Sequence, residues 1–191
     1  MKKILMIFAL PEEVIHVEWA DCKMIPIVSR IGKACAAIAV TKAILTERPD
    51  IVINMGSAGT LAHTIGDIIV STHFVDRDFA HTELPNIVYE YCESNFCKNA
   101  FPSIIKNKEV WKSDFIVNTG DDFVTSELHA HGDVFDMESF AELLACRAEN
   151  IPFISIKYIT DIIGQNSVKL WAEKLEEART CLTKYFKKYT L

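Results

Sequence analysis

The sequence predicts an α/β protein with three layers, in which helices cover both faces of a largely parallel or mixed central sheet. Apolar runs rich in β-branched residues, such as Ile51-Val52-Ile53, are typical of buried strands, and they alternate with segments that carry apolar residues at helical spacing. The 191 residues, of which 50% are hydrophobic and 24% charged, suffice for one buried core. We therefore expect a single domain over residues 1–191.

The first half of the chain predicts four strands and one long helix. The strands are expected over residues 3–9, 24–29, 51–55 and 67–75, with a short helix or turn over residues 12–19. A turn of small residues, Gly56-Ser57-Ala58-Gly59-Thr60, is expected after the third strand. The helix opens at Gly32-Lys33 and ends before Pro49-Asp50. Its buried face is predicted by an apolar stripe that comprises Ala34, Ala37, Ile38, Thr41 and Leu45.

The second half predicts the remaining strands and helices. Strands are expected over residues 115–119, 134–135 and 153–159, and helices over residues 137–150 and about 170–188. Residues 76–112 are polar and are interrupted by Pro85 and Pro102. This region predicts long loops with room for one short helix.

The composition argues against several classes of partner. The net charge of −6 disfavours a nucleic-acid groove, and no apolar run is long enough to cross a bilayer. We therefore expect neither nucleic acid nor membrane as a partner. Six scattered cysteines without a secretory signal predict reduced thiols and a cytoplasmic location. Cys92, Cys97, His129 and His131 are the candidate ligands of a zinc site. The two cysteines stand too far apart in the sequence for a zinc knuckle, so we expect no metal.

Acidic or small polar residues follow several of the predicted strands, namely Glu13, Ser57, Asp121, Glu138 and Asp161. Ligands of open α/β sheets bind at the carboxyl ends of the strands, so we expect these side chains to converge near one pocket. Taken singly, such an acid is equally typical of the first turn of a helix, where the helix dipole favours a negative charge. The pattern alone leaves both interpretations open.

Five segments carry a resemblance to a known family: Asn54-Met55-Gly56-Ser57-Ala58-Gly59, Gly66-Asp67-Ile68-Ile69-Val70, Thr119-Gly120-Asp121-Asp122-Phe123, Asp136-Met137-Glu138 and Ile159-Thr160-Asp161. They occur in the order found in nucleoside phosphorylase family I, which the chain resembles over nearly its whole length. The resemblance implies a nucleoside phosphorylase-like fold, no cofactor and a homodimer. It also implies hydrolysis of the N-glycosidic bond of an adenine nucleoside of the 5'-methylthioadenosine or S-adenosylhomocysteine type. The alternatives are a phosphate-dependent purine nucleoside phosphorylase, a futalosine hydrolase of the same fold and a non-catalytic purine-nucleoside-binding protein.

The resemblance further implies a role for each site residue. Asp161 would donate a proton to N7 of the base, Glu13 would accept a proton from the attacking water, and Glu138 would bind the ribose hydroxyls. Glu12 competes with Glu13 for the second role. The residues implied to bind substrate are Leu10 and Trp171 near the 5' substituent, Ser57, Ala58 and Gly59 beside the base and ribose, Met137 on the ribose, Phe123 stacked on the purine, and Thr160 next to the catalytic acid.

The chain also departs from the family pattern. It is short for the family, with residues missing before Ser57 and before Phe115, and Lys157 stands where the family usually has Arg. Phosphorylases of the family hold phosphate with arginines, but the matching segments here, Pro11-Glu12-Glu13 and Asn54-Met55, contain none. That absence favours hydrolysis, although Arg30 and Arg77 remain as candidate phosphate ligands.

Overall fold

The protein is described by a computed structural model that covers residues 1–82, 85–100, 115–126, 132–165 and 167–189. Its strands are β1 (Lys2–Phe8), β2 (Cys22–Val28), β3 (Ile51–Thr60), β4 (Ile68–Ser71), β5 (His73–Asp76), β6 (Glu90–Cys92), β7 (Ile116–Thr119), β8 (Val134–Asp136) and β9 (Phe153–Ile162). Its helices are α1 (Lys33–Glu47), α2 (Arg77–Ala80), α3 (Ser94–Ala100), α4 (Ser139–Ala148) and α5 (Ser167–Tyr189).

The nine described strands form one mixed sheet. Strand β1 lies parallel to β2 and β3, and β3 lies parallel to β9 over most of its length. Strands β5, β7 and β8 are also parallel, whereas β4 pairs antiparallel with β9, and β6 with β5. The prediction of a largely parallel or mixed sheet is confirmed.

Helices pack on both faces of this sheet, as the three-layer prediction requires. On one face, the apolar side of α5 contributes Ala178, Leu182 and Phe186 to a core with strands β1, β3 and β9. On the other face, α1 and α4 pack against each other and contribute Val40 and Phe140, among others, to a second core. No helix among the described residues is both long and apolar enough to span a membrane.

The apolar stripe predicted for α1 is wrong. The buried side chains are Ala36, Val40 and Ile44, which recur every four residues, whereas Ile38 is 71% exposed and Leu45 is 53% exposed. Helix α1 is apolar on more than one side, so spacing alone cannot identify the side that meets the sheet. The two exposed side chains leave part of the outer surface of α1 apolar.

The predicted turn after residue 55 is also wrong, because β3 continues through Gly56-Ser57-Ala58-Gly59 to Thr60. Small residues usually signal a turn, but here β9 pairs with this stretch and β8 pairs with its end. Pairing with neighbouring strands therefore overrides the local preference. A β-bulge interrupts the pairing: Ala58 faces Ile159, but Gly59 faces Asp161, which leaves Thr160 as the extra residue.

Three further expectations differ in detail. Only a 3₁₀ turn over Pro11–Glu13 forms where a longer helix or turn was expected over residues 12–19. The strand expected over residues 67–75 is divided into β4 and β5, which pair with different neighbours. The described part of residues 76–112 holds two short helices, α2 and α3, and strand β6, where long loops with room for one short helix were expected. Residues 101–114, and His129 and His131 of the zinc alternative, lie outside the described residues.

All six cysteines are free thiols. Burial raises the pKa of the Cys97 thiol to about 12, and it raises that of Cys146 well above the ordinary value. These two thiols therefore act as small apolar core groups. Cys35 is only half-buried on α1.

Candidate active site

One cavity lies at the carboxyl ends of the central strands and collects residues from distant parts of the chain. Ten of the eleven predicted site residues line it: Leu10, Glu13, Ser57, Ala58, Gly59, Phe123, Met137, Glu138, Asp161 and Trp171. The eleventh, Thr160, does not line the cavity. It is the extra residue of the β-bulge and is fully buried, with its hydroxyl 2.9 Å from Asp161 Oδ1 and 3.2 Å from the carbonyl oxygen of Ala58.

Glu13 enters the cavity from the 3₁₀ turn that follows β1. Its Oε1 accepts hydrogen bonds from the Ser57 backbone N–H (2.9 Å) and from the Ser57 hydroxyl (2.6 Å), and its Oε2 accepts one from the Leu10 N–H (3.2 Å). Glu13 is 3% exposed, whereas Glu12 is exposed and does not line the cavity. The geometry therefore favours Glu13 over Glu12 as the acid of this site.

Asp161 enters from β9, on the other side of β3. Burial raises its pKa above the ordinary value, although hydrogen bonds from Thr160 and Ser167 oppose the shift. Such a carboxyl holds its proton to a higher pH than an exposed aspartate does. An acid that stays protonated inside a cavity is suited to donate a proton to a bound ligand.

The glycines of β3 provide the space for these two acids. A Cβ at Gly56 would lie 3.0 Å from Glu13 Oε1, and a Cβ at Gly59 would lie 3.0 Å from Asp161 Oδ2. A side chain at either position would push the carboxyl group aside. The Gly-Ser-Ala-Gly segment thus serves the site through the absence of side chains on a strand, and not through a turn.

Glu138 reaches the cavity just before α4, where its Oε1 accepts a hydrogen bond from the Gly32 N–H (2.9 Å) before α1. Burial and the neighbouring charge of Asp136 raise its pKa to about 7, while Lys157 and the Gly32 N–H oppose the rise. The three predicted catalytic acids, Glu13, Glu138 and Asp161, therefore have different surroundings. Different surroundings allow carboxyl groups of one site to take different roles.

A buried charge cluster lies behind Glu138. Lys157 Nζ is 2.9 Å from Asp136 Oδ2, and both side chains are buried. Asp136 also accepts hydrogen bonds from the hydroxyls of Thr119 (2.6 Å) and Ser139. Burial opposes ionisation of Asp136, but the charge of Lys157 and the hydrogen bonds from Ser139 and Thr119 together outweigh it and hold the pKa of Asp136 below its ordinary value. Lys157 thus makes a point-charge pair where the family usually has the planar fork of an arginine.

Glu142 belongs to the same cluster but has no strong partner. It is fully buried one helical turn after Glu138, and neither carboxyl oxygen has a well-formed hydrogen bond among the described residues, although the charge of Lys157 and the Asn54 side chain favour the charged form. Burial raises its pKa well above the ordinary value and so favours the neutral carboxyl. The helical spacing that predicted α4 gave no signal for this buried acid.

We expect Glu142 to destabilise the folded protein increasingly as the pH rises. Its pKa is higher in the folded state than in the unfolded state, so unfolding releases a proton above about pH 4.5 and stability falls by up to about 1.4 kcal/mol per pH unit. Glu142→Gln should therefore gain stability relative to the original protein, by up to about 3 kcal/mol between about pH 5 and pH 7.5. Denaturant unfolding at both pH values measures this difference.

The control for this measurement is Glu149→Gln, because Glu149 is an exposed glutamate at the end of the same helix. Glu149→Gln should change the free energy of unfolding by less than about 0.5 kcal/mol at both pH values, as is usual for an exposed substitution. A Glu142→Gln difference that is equally independent of pH would contradict a neutral buried Glu142.

Arg77 supports the segment that carries Phe123. Its guanidinium forms an ion pair with Asp122 (2.7 Å) and donates hydrogen bonds to the carbonyl oxygens of Asn118 (3.1 Å) and Asp136 (3.0 Å). The exposed Arg30 does not line the cavity. Arg77 therefore lines the cavity with its guanidinium engaged by protein groups, and Arg30 is not among the lining residues.

Three aromatic side chains, Phe123, Phe135 and Trp171, line the cavity together with the acids. Phe123 and Trp171 meet edge to face, with ring centroids 5.9 Å apart, and the Trp171 indole N–H donates to Ser57 Oγ (3.0 Å). Asp121, another predicted strand-end acid, points elsewhere, because its Oδ1 accepts the Lys33 N–H (2.7 Å) at the start of α1. The cavity thus combines the three predicted catalytic acids with a partly apolar, partly aromatic wall.

Comparison with known proteins agrees with this architecture. The family model described as "Phosphorylase superfamily" matches residues 11–190. A 5'-methylthioadenosine/S-adenosylhomocysteine nucleosidase of Anoxybacillus flavithermus is 31% identical over 170 residues, which cover 78% of this chain and 72% of the relative. The enzyme of the same name from Bacillus subtilis is 29% identical over 179 residues, covering 84% and 78%.

Solved structures show the same fold. The nucleosidase of that name from Helicobacter pylori, with butyl-thio-DADMe-Immucillin-A, has a TM-score of 0.82 and 21% identity, with 99% of this chain and 97% of that chain covered. The futalosine hydrolase of the same organism has a TM-score of 0.80 and 20% identity, with 97% and 96% covered. Both likenesses concern the backbone arrangement.

Proposed function

Because the chain belongs to the phosphorylase superfamily, we propose that it hydrolyses the N-glycosidic bond of adenine nucleosides of the 5'-methylthioadenosine and S-adenosylhomocysteine type. The observation that carries the proposal is the meeting of Glu13, Glu138 and Asp161 in one cavity beside the glycines of β3. Relatives that are about 30% identical over most of the chain bear the name of this activity.

The chemistry of the reaction matches the surroundings of these acids. Cleavage of the C1'–N9 bond leaves its electron pair on the purine and a positive charge on the ribose, and water adds to C1'. Asp161, whose pKa burial raises, donates its proton to N7 of the leaving purine, so that neutral adenine departs. Glu13 takes a proton from the attacking water, which leaves a hydroxyl group on C1'.

Glu138 binds the ribose in this scheme. Its carboxylate accepts hydrogen bonds from the 2' and 3' hydroxyls, and its charge stabilises the cationic sugar of the transition state. Phe123 and Trp171 cover the apolar parts of the nucleoside. Burial and Asp136 raise the pKa of Glu138 to about 7, so the charge of this carboxyl group changes near neutral pH.

This ionisation predicts how substrate binding depends on pH. Only the ionised carboxylate of Glu138 accepts hydrogen bonds from both ribose hydroxyls, and protonation below about pH 7 removes it. The KM for 5'-methylthioadenosine should therefore rise below about pH 7, by up to about tenfold per pH unit. The measurement is KM between about pH 5.5 and pH 8.5, on either side of that pKa. Glu138→Gln should weaken binding throughout and remove this part of the pH dependence, whereas a constant KM for the original protein would contradict the assignment.

Hydrolysis is favoured over phosphorolysis by the charges of the cavity. The basic side chains among its described lining residues are Arg77 and Lys157, and each forms an ion pair with an aspartate. Glu13 and Glu138 would repel a phosphate ion in the space between them. A purely binding protein would not need two buried acids with such different environments, so we favour catalysis over binding alone.

One assay separates the alternatives. The protein is incubated with 5'-methylthioadenosine, S-adenosylhomocysteine, adenosine, inosine and futalosine, with and without phosphate, and free base is followed by chromatography. We expect adenine release that does not require phosphate. Release that depends on phosphate would identify a phosphorylase, preference for futalosine would identify the related hydrolase, and no release would favour a binding protein.

The homodimer and the cytoplasmic location belong to the same proposal. Ile38 and Leu45 of α1, together with Leu144 of α4, leave apolar side chains exposed on two helices that pack against each other. These side chains are the candidates for contact between subunits, and the molecular mass in solution tests the homodimer. The six free cysteines suit a reducing compartment.

A further inference from the structure

A chain of hydrogen bonds joins Trp171 to Glu13 through Ser57. The indole N–H of Trp171 donates to Ser57 Oγ over 3.0 Å, and Ser57 Oγ lies 2.6 Å from Glu13 Oε1. Trp171 and Ser57 are 114 positions apart in the sequence. The interaction therefore connects the first turns of α5 to the acid that follows β1, by way of β3.

The chemistry of the three groups determines the direction of this chain. An indole N–H only donates, so Ser57 Oγ must accept the hydrogen bond from Trp171. The single hydroxyl proton of Ser57 is then directed to Glu13 Oε1, which also accepts the Ser57 backbone N–H at 2.9 Å. Without the indole, the hydroxyl would be free to rotate towards another acceptor.

This arrangement makes the two oxygens of Glu13 unequal. A carboxylate offers about two acceptor positions on each oxygen. Both positions on Oε1 are taken by Ser57, whereas Oε2 accepts only the longer hydrogen bond from the Leu10 N–H, at 3.2 Å, among the described residues. The oxygen with a free acceptor position is therefore Oε2.

We propose that Trp171 is a positioning residue, which holds the Ser57 hydroxyl on Oε1 of Glu13 so that Oε2 receives the proton of the attacking water. The inference rests on the proposed function, because it assigns the proton-accepting oxygen of that reaction. It gives the indole nitrogen a role separate from the contact between the Trp171 ring and the nucleoside. The ring contact affects binding, and the N–H affects the chemical step.

The test is a double-mutant cycle between Trp171→Phe and Ser57→Ala, with kcat and KM measured for 5'-methylthioadenosine. Trp171→Phe keeps an aromatic ring beside Phe123 and removes the N–H, so kcat should fall about tenfold while KM stays within about twofold. In the Ser57→Ala background the same change should lower kcat by less than about twofold, because the group through which Trp171 acts is already absent.

A second tryptophan provides the matched control. Trp19 packs against Phe186 outside the cavity, and its buried indole N–H has no acceptor among the described residues. Trp19→Phe should leave kcat and KM within about twofold of the original values. Equal losses of kcat in Trp19→Phe and Trp171→Phe would overturn the proposal, because they would indicate a general effect on the fold.

Two further outcomes decide the matter. A multiplicative effect of Trp171→Phe and Ser57→Ala on kcat, or an effect of Trp171→Phe on KM alone, would overturn the positioning role and leave only the ring contact. If Trp171→Phe disturbs folding, a benzothiophene side chain at position 171 takes its place, because it replaces the N–H by sulfur in a ring of nearly equal size. This variant should show the same loss of kcat. Absence of adenine release by the unsubstituted protein would instead reject the proposed function itself.

Discussion

Asp161→Asn should lower kcat for 5'-methylthioadenosine by about a thousandfold, because it removes the proton donor to the purine. The amide keeps the size of the side chain and an oxygen that accepts hydrogen bonds from Thr160 and Ser167, so the cavity should keep its shape. The buried carboxyl is also a cost to the fold, and the neutral amide should leave the melting temperature unchanged or higher. Steady-state kinetics and thermal unfolding measure the two effects.

A matched aspartate provides the control. Asp121→Asn changes an acid outside the cavity whose Oδ1 accepts the Lys33 N–H, and the amide oxygen can accept the same bond. It should therefore leave kcat within about threefold of the original value. If Asp161→Asn retained more than about a tenth of the activity, Asp161 would not be the general acid.

Glu13→Gln should have the second largest effect, with kcat reduced about a hundredfold to a thousandfold. The amide oxygen that replaces Oε1 can still accept both hydrogen bonds from Ser57, but the side chain no longer accepts a proton from water. Substrate binding should persist, so an unreactive nucleoside analogue should bind the variant with an affinity within about tenfold of the original. Activity assays and calorimetric binding separate the two quantities.

The neighbouring residue tests the assignment directly. Glu12 precedes Glu13 in the same 3₁₀ turn but is exposed and does not line the cavity. Glu12→Gln should leave kcat and KM nearly unchanged. A larger loss in Glu12→Gln than in Glu13→Gln would reverse the roles of the two glutamates.

The order of strands and helices was predictable because buried strands and amphipathic helices leave periodic signals. The details that failed depend on partners that are distant in the sequence. Gly56 and Gly59 suggest a turn locally, yet pairing with β9 keeps them in a strand, and the carboxyl groups of Glu13 and Asp161 occupy the space that side chains would need. No local pattern encodes such a contact.

The site was predictable only in part, for a related reason. Each of its acids alone suits the start of a helix, and the resemblance to a family was needed to group them. Glu142 gave no signal because it lies within an apolar helical pattern, and the hydrogen bond from Trp171 to Ser57 gave none because sequence spacing says nothing about where an indole N–H points. Side-chain contacts between separate elements require coordinates.

The unpaired residue between Ile159 and Asp161 makes the chemistry of this protein sensitive to strand length at one point. Deleting Thr160 would leave Asp161 opposite Gly59, but it would remove the local bend that the bulge gives to β9 and the hydroxyl that hydrogen-bonds Asp161 Oδ1. Surface loops usually tolerate the gain or loss of a residue. Along this strand, by contrast, a single in-frame deletion would remove a hydrogen bond to the proton donor and change the direction of its carboxyl group, while leaving all the catalytic codons intact.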